Sequence, residues 1–275
     1  MAKPKKSKNK IISRIFWSLA LLIAAAVSLL PPPGRATVLM YHFVGTAGDA
    51  AGSKNFVSRE SFARQMAFLK LMRYRVISLD ELYDLRAGKT KPQGREIAIT
   101  FDDGNYTFET HALPVLKKYS FPVTQFIISG NVRNKLHGSM EQETIARLLA
   151  ENPWFSVQGH TRTHPVLTEL PPEKIHDELE LSKQELEQMF GRPVRFLAYP
   201  GGIFNEQIAE LTAKAGYEMA FTTSAKKILG NPDPNFAVTR VKITRSSDNL
   251  ASFWFQISGA YDGFKEWRQR LKHAR

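Results

Sequence analysis

Two short segments carry side chains whose types and spacing could do metal chemistry. Asp102 and Asp103 stand side by side after the apolar run Ile97-Ala98-Ile99-Thr100-Phe101, and Gly104 follows them. His160 and His164 stand four apart in His160-Thr161-Arg162-Thr163-His164, directly after the apolar stretch Trp154–Val157. Neighbouring residues leaving a strand point in different directions. One carboxylate of the pair can therefore bind a cation while the other stays free as a base. Two histidines at i and i+4 lie on one side of a helical turn and can converge on a single ion. Each segment alone has a plainer reading, an Asp-Asp-Gly turn or a loop with two solvated histidines. Together they supply one carboxylate and two imidazoles, a three-ligand set that leaves a position open for water.

These side chains need strands that end beside one another. From Ala36 onward, short β-branched runs alternate with amphipathic stretches, the pattern of buried parallel strands with helices between them. Eight strands are expected: Thr37–His42, Arg75–Ser78, Glu96–Phe101, Val123–Ile128, Phe155–Gln158, Arg195–Tyr199, Glu218–Thr222 and Ala237–Ile243. The fold class is α/β, and eight strands suggest a barrel. At the carboxyl ends of such strands active sites are built, which is where both clusters stand. Helical spacing places Phe62, Met66 and Leu69 on one face of Ser58–Met72, and Ile175, Leu179, Leu186 and Met189 on one face of Glu173–Phe190. Pro171-Pro172 should start the second helix and Gly191 end it.

Composition bounds the chemistry. The 275 residues are 43% hydrophobic and 23% charged, enough for a sizeable core. With no cysteine, no thiolate or disulfide can enter any mechanism, and a metal must be held by His and carboxylates. The net charge of +12 is concentrated at the start: residues 1–35 hold seven Lys or Arg and no acid, and the remaining 31 basic and 26 acidic residues leave the body at +5. No basic stripe with interleaved aromatics marks a nucleic-acid surface.

Met1–Lys10 forms a basic flank, and Ile11–Leu30 is apolar apart from Arg14 and three serines. About 20 apolar residues span a bilayer, so the segment suffices if Arg14 reaches the headgroups, and the lysines put its start on the cytoplasmic side. It reads as a signal-anchor, a membrane-spanning helix ahead of the barrel. Cleavage as a signal peptide near Ala24-Ala25-Ala26 is the other reading. Either places the body outside the cytoplasm, periplasmic or extracellular, and secreted if the segment is cleaved. Residues 31–36 form a linker, 37–260 the catalytic domain and 261–275 a basic tail. Phe253, Trp254, Phe255, Tyr261, Phe264 and Trp267 could stack on sugar rings or close the core of a C-terminal helix.

The motifs resemble those of the polysaccharide deacetylase family, also called the NodB-homology family or carbohydrate esterase family 4. Thr100-Phe101-Asp102-Asp103-Gly104 is similar to its first motif, His160-Thr161-Arg162-Thr163-His164 to its second, and Leu197-Ala198-Tyr199-Pro200-Gly201-Gly202 to its third. The likeness runs from about Thr37 to Thr244. It implies a distorted (β/α) barrel of seven to eight parallel strands that hydrolyses N-acetyl groups of an N-acetylglucosamine polymer with a divalent metal, Zn first, with Co, Ni or Fe as alternatives. By the same resemblance Asp102 is the general base, Asp103, His160 and His164 hold the metal, and Tyr199, Pro200 and Gly201 border the substrate, the Gly201 N–H serving an oxyanion hole.

The chain departs from the family pattern twice. Ala198 stands where the third motif often has Arg, so Arg240 on the last strand is expected to orient Asp102 instead. No Leu-His motif occurs near the C-terminus, where the family usually takes its general acid. Met40-Tyr41-His42-Phe43-Val44 resembles the branch acting on poly-β-1,6-N-acetylglucosamine, in which a Tyr-His near the domain start supplies it, and this implies His42 as proton donor. The substrate would be an exopolysaccharide, peptidoglycan or a chitin-like oligomer. An O-acetyl polysaccharide esterase and a non-catalytic, membrane-tethered glycan-binding protein are the competing readings.

Overall fold

All eight apolar runs form parallel strands, within about a residue of their expected ends. The computed structural model describes residues 36–46, 49, 53–223, 228–229 and 232–258. The expected membrane segment Ile11–Leu30, the linker up to Arg35 and the basic tail lie outside the described residues. Among the described residues no helix is long and apolar enough to cross a membrane. The chain divides into two units, Pro33–Phe253 and a second made of Met1–Pro32 with Trp254–Arg275. Of the second unit, Trp254–Ser258 are described; all but Ser258 lie in the helix Leu250–Ile257.

The strands are β1 (Thr37–Tyr41), β2 (Phe43–Gly45), β3 (Phe56–Ser58), β4 (Arg75–Ile77), β5 (Glu96–Phe101), β6 (Val123–Ile127), β7 (Phe155–Gly159), β8 (Phe196–Ala198), β9 (Phe204–Asn205), β10 (Met219–Thr222), β11 (Ile228–Leu229), β12 (Val238–Thr239) and β13 (Val241–Lys242). The main sheet runs β12-β10-β8-β7-β6-β5-β1-β13, with β4 added on β5. Its two ends are one stretch of chain. β12 pairs with β10 through Phe221 and Val238, β13 pairs with β1 through Leu39 and Val241, and Arg240 alone lies between them. The expected last strand is thus broken at Arg240, where it changes partner and brings the sheet round into a nearly closed barrel.

Period-two alternation decides what each strand shows to the inside. Val38, Ala98, Phe126, Phe196, Ala198, Met219, Phe221 and Val238 form one buried cluster. The helix Leu79–Arg86, started by a Ser78–Glu81 capping box, adds Leu79 and Leu82 to that cluster. Its Tyr83 lies 6.1 Å from Phe196, the first residue of β8, so the helix plugs the amino-terminal end of the barrel. The other face of the strands meets the helices. Phe101 stacks with Tyr41 at 5.2 Å and meets Phe108 edge-on at 5.0 Å, and Phe62 of the helix Arg59–Leu71 closes on Tyr41. Each such ring, fully buried, contributes roughly 1.5–3 kcal/mol of transfer free energy. Burial on both faces is why these strands read as continuous apolar runs.

The helix expected over Glu173–Phe190 runs from Pro172 to Phe190, with Gly191 left-handed at its end (φ 60°). Its turn Asp177–Leu181 is π-helical, a local widening that single-sequence periodicity does not signal. Phe253 is buried and meets Phe68 edge to face, a core contact rather than a sugar platform. Tyr261, Phe264 and Trp267 fall outside the described residues.

Candidate metal centre

Strand register brings the first three candidates together. β1 and β5 run side by side with Tyr41 opposite Phe101, so His42 and Asp102 leave the barrel rim together. The ladder continues one step further, with the Asp102 N–H donating to the Tyr41 carbonyl at 3.0 Å. The chain then turns sharply: Asp103 and Gly104 both adopt positive φ, 72° and 68°. A left-handed non-glycine residue costs on the order of 1–3 kcal/mol. That turn sends the Asp103 carboxylate to the rim while Asp102 stays buried beneath it.

His160 follows β7, which is separated from β5 by β6 alone. Its N–H donates to the Ile127 carbonyl at 2.9 Å, and its ring Nδ1 lies 2.7 Å from the Ala198 carbonyl. A carbonyl can only accept, so Nδ1 carries the hydrogen and the Nε2 lone pair faces the rim. His164 does not sit one helical turn away, as i, i+4 spacing suggests. The loop is irregular, with Thr161 at φ 60° and His164 at φ 62°, and the two rings meet edge to face at 4.8 Å. Convergence comes from the loop's bends and not from helical periodicity.

Asp103 Oδ1 lies 3.5 Å from His160 Nε2 and 3.7 Å from His164 Nε2, and one ligand atom from each residue falls within 4.8 Å of the others. These separations exceed direct hydrogen bonds. They approach the edge of about 3.3 Å expected between donors bound tetrahedrally at about 2.0–2.1 Å from one Zn. An imidazole pair with a carboxylate, one ring braced through its far nitrogen, fits a divalent cation such as Zn.

Asp102 takes a different part. Arg240 Nη1 and Nη2 donate to its Oδ1 and Oδ2 at 2.6 and 2.7 Å, and Nη1 also donates to Thr100 Oγ1 at 3.2 Å. Both partners are almost fully buried, and the guanidinium packs over Phe126 at 5.2 Å. The cation sought at position 198 is therefore supplied from the strand seam. Burial by itself would raise the Asp102 carboxyl; the Arg240 charge, with His160 and His42 adding, outweighs it and holds the group below the usual carboxylate range. Burial would raise the Asp103 carboxyl as well; the neighbouring His160, His42 and His164 outweigh it and hold the group well below the usual carboxylate range. Desolvation lowers His42, with Asp102 and Asp103 pulling it back up and Arg240 and Lys242 pushing it down. Among the described residues, buried His42 Nδ1 meets no hydrogen-bond partner.

Of the third-motif residues, Tyr199 is fully buried and stacks on Phe204 at 4.3 Å. Its ring packs in the core, which leaves its backbone as the part able to face the rim. Pro200 is buried, and Gly201 is exposed in a tight turn at φ 60°.

Sequence reasoning missed the acids that hold the histidine loop. Glu178 Oε2 accepts the N–H groups of Arg162 and Thr163 at 2.9 and 2.8 Å. Glu185 accepts from Ser129, Arg133 and Arg162 at 2.6, 2.6 and 3.0 Å. A signal was present: Glu178 and Glu185 fall on the apolar stripe of Ile175, Leu179 and Leu186, where an acid needs a partner. At the rim, Tyr106 and Leu136 are exposed, and their loops are tied by Tyr106 N–H and Asn105 Nδ2 donating to the Gly138 carbonyl at 3.1 and 2.9 Å.

Residues 89–220 match the polysaccharide deacetylase family. The Bacillus subtilis (strain 168) protein YxkH, assigned by its name to the polysaccharide deacetylases, is 30% identical over 191 residues, 70% of this chain and 65% of that protein. The chain thus spans slightly under two thirds of that relative. A poly-β-1,6-N-acetyl-D-glucosamine N-deacetylase of Staphylococcus aureus (strain MSSA476) is 27% identical over 248 residues, 84% of this chain and 81% of that one. The crystal structure of a polysaccharide deacetylase from Bacillus cereus superposes with a TM-score of 0.70 at 30% identity, over 81% of this chain and 68% of that chain.

Proposed function

This chain belongs to the polysaccharide deacetylase family, and from that membership we propose that it hydrolyses N-acetyl groups of a polymer of N-acetylglucosamine, releasing acetate. The observation that carries the reading is the convergence of Asp103, His160 and His164 beside the Asp102–Arg240 pair at the carboxyl rim of the barrel. The likeness to the Staphylococcus aureus relative and the Tyr41-His42 pair favour a β-1,6-linked polymer.

Asp103 Oδ1, His160 Nε2 and His164 Nε2 would hold a divalent metal, Zn by the donor set. When bound it supplies Lewis acidity, polarising the acetamide carbonyl and lowering the pKa of a water from about 15.7 toward about 7. Asp102, oriented through both oxygens by Arg240, is the base that would take a proton from the attacking water. Since Arg240 occupies one hydrogen-bonding direction on each oxygen, the remaining lone pairs are the ones that receive the proton. His42 delivers a proton to the departing sugar nitrogen, because an amide anion is too basic to leave unaided. Burial disfavours the imidazolium, so its charged form depends on the Asp102 and Asp103 charges nearby. The Gly201 N–H serves the oxyanion. Tyr106 and Leu136 present an apolar surface on which the flat faces of neighbouring hexosamine units stack.

We place the domain outside the cytoplasm, tethered by Ile11–Leu30 unless that segment is cleaved. Six residues, 31–36, separate Leu30 from the start of β1 at Thr37.

The test is acetate release from β-1,6- and β-1,4-linked N-acetylglucosamine oligomers, peptidoglycan and O-acetylated xylan, with and without added Zn after chelation. Zn-dependent release from the β-1,6 oligomers is expected. Release from the O-acetyl polymer alone would make the protein an esterase. Binding of oligomers with no release from any substrate would make it a glycan-binding protein.

A further inference from the structure

We infer that Glu178 is a positioning residue for the metal centre: its carboxylate clamps the backbone between His160 and His164 and so sets the separation of the two imidazoles. The inference rests on the metal site proposed above and assigns a part to a residue outside the recognised motifs.

The loop joining the two histidines is strained and short. Thr161 and His164 are both left-handed, a conformation that persists only where the surroundings enforce it. The enforcement comes from two sides. From the start of the helix Ser129–Arg133, the N–H groups of Ser129 and Gly130 donate to the carbonyls of Thr161 and Arg162 at 3.3 and 2.9 Å. The approach is so close that a Cβ on Gly130 would stand 2.6 Å from the Arg162 oxygen. From the other side Glu178 Oε2 takes the N–H groups of Arg162 and Thr163, and Oε1 takes Thr163 Oγ1 at 2.6 Å. Every peptide N–H and C=O named here is thereby satisfied by a group outside the loop. Within the loop, the Thr161 hydroxyl accepts the His164 N–H at 3.1 Å.

An ionised carboxylate suits this duty because it is acceptor-only and can take several N–H and O–H donors at once. An amide of the same shape can turn its oxygen to the two N–H groups and its nitrogen to the Thr163 hydroxyl, but that oxygen carries no charge and holds the N–H groups more weakly. Glu178 lies in the π-helical turn Asp177–Leu181, where the widened backbone departs from ordinary helical register, and seven residues later Glu185 reaches the same loop by accepting from Arg162 Nε. Such widened turns recur at functional sites.

Metal affinity of the purified full chain, measured by calorimetric titration with Zn, tests the assignment, with the Co(II) absorption spectrum reporting ligand geometry. Glu178→Ala should weaken Zn binding by roughly 10- to 100-fold, the range seen when groups supporting metal ligands are removed. Glu178→Gln should fall between it and wild type and shift the Co(II) bands. Glu187→Ala is the control. Glu187 stands on the same helix and holds a different segment, through the Val194 N–H and Lys183, each at 2.9 Å, so its loss should lower thermal stability and leave Zn affinity unchanged. If Glu178→Ala does not fold, Glu178→Gln decides. Zn affinity within twofold of wild type for Glu178→Gln, with an unaltered Co(II) spectrum, would overturn the inference, as would equal weakening by Glu187→Ala. A wild-type chain that binds no Zn would instead remove the metal site itself, and the inference with it.

Discussion

Arg240 grips both carboxylate oxygens of Asp102, at 2.6 and 2.7 Å, from the single residue at which the last strand leaves β10 and joins β1. The contact that orients the proposed base is therefore also part of the seam that closes the barrel. Removing one partner of such a buried pair leaves an uncompensated charge, which typically costs about 3–5 kcal/mol. Arg240→Ala should lose stability on that scale in denaturant unfolding. Arg240→Lys keeps the charge but cannot form the two-pronged contact. It should unfold nearer wild type while its kcat for acetate release falls. A lysine variant with wild-type kcat would show that orientation of Asp102 is not what Arg240 provides.

Asp102 and His160 separate by role. Asp102 is not among the three converging donors, so Asp102→Asn should retain Zn and lose turnover by roughly 10²–10⁴-fold, the usual contribution of a general base. His160→Ala removes a ligand and should lose both. Parallel Zn calorimetry and acetate assays distinguish the two. Asp102→Asn near wild-type rate would end the assignment of the base.

How far the sequence carries this site depends on which force places each residue. Asp102, Asp103 and His42 were legible because a parallel strand delivers its last residues to the rim, and register between β1 and β5 does the rest. The need for a cation at Asp102 was implied by the family resemblance, which often has Arg where Ala198 stands, and Arg240 was named for its place on the last strand. The shape of the His160–His164 loop was not legible. Its bends are imposed by Ser129, Gly130 and Glu178, residues 14 or more positions away in sequence, and local spacing pointed instead to a helical turn. The place of the Tyr199 ring was not legible either, because packing against Phe204 decides where it goes.

Acid should loosen the histidine loop through Glu185. Burial pushes its carboxyl up, but hydrogen bonds from Ser129, Arg133 and Arg162 outweigh that and hold it below its ordinary value of 4.5. A depressed carboxylate contributes stability that is fully present above about pH 4.5 and is lost as the pH falls through the lower folded-state value. Glu185→Gln should therefore be less stable than wild type at neutral pH, and the gap in denaturation midpoint should shrink as the pH drops below about 4.5. A gap that stays constant down to about pH 3 would mean that the ionised carboxylate is not what stabilises the loop.

The exposed pair at the rim makes a prediction about polymer length. Among the described residues, Leu71, Tyr106 and Leu136 are the large hydrophobic side chains left exposed, at 78%, 43% and 49%. The last two share one patch of chain, since Met140 N–H donates to the Gly104 carbonyl at 2.9 Å and Gly138 is bound by Asn105 and Tyr106. Gly104 directly follows Asp103, so the patch lies next to the proposed metal ligands and can touch the sugar units flanking the one being hydrolysed. Aromatic contacts of this kind are worth about 0.5–1.5 kcal/mol, which corresponds to roughly a 2- to 10-fold change in affinity. Tyr106→Ala should raise KM by that factor on tetramers and longer oligomers, leave kcat and Zn affinity near wild type, and change little on the monosaccharide, which cannot reach the patch and the metal centre together. Leu71→Ala, far from the rim on the end of the helix Arg59–Leu71, should leave KM unchanged for every length. An equal rise in KM on monomer and oligomer would place Tyr106 at the hydrolysed unit itself, and no rise on any length would remove it from the substrate surface.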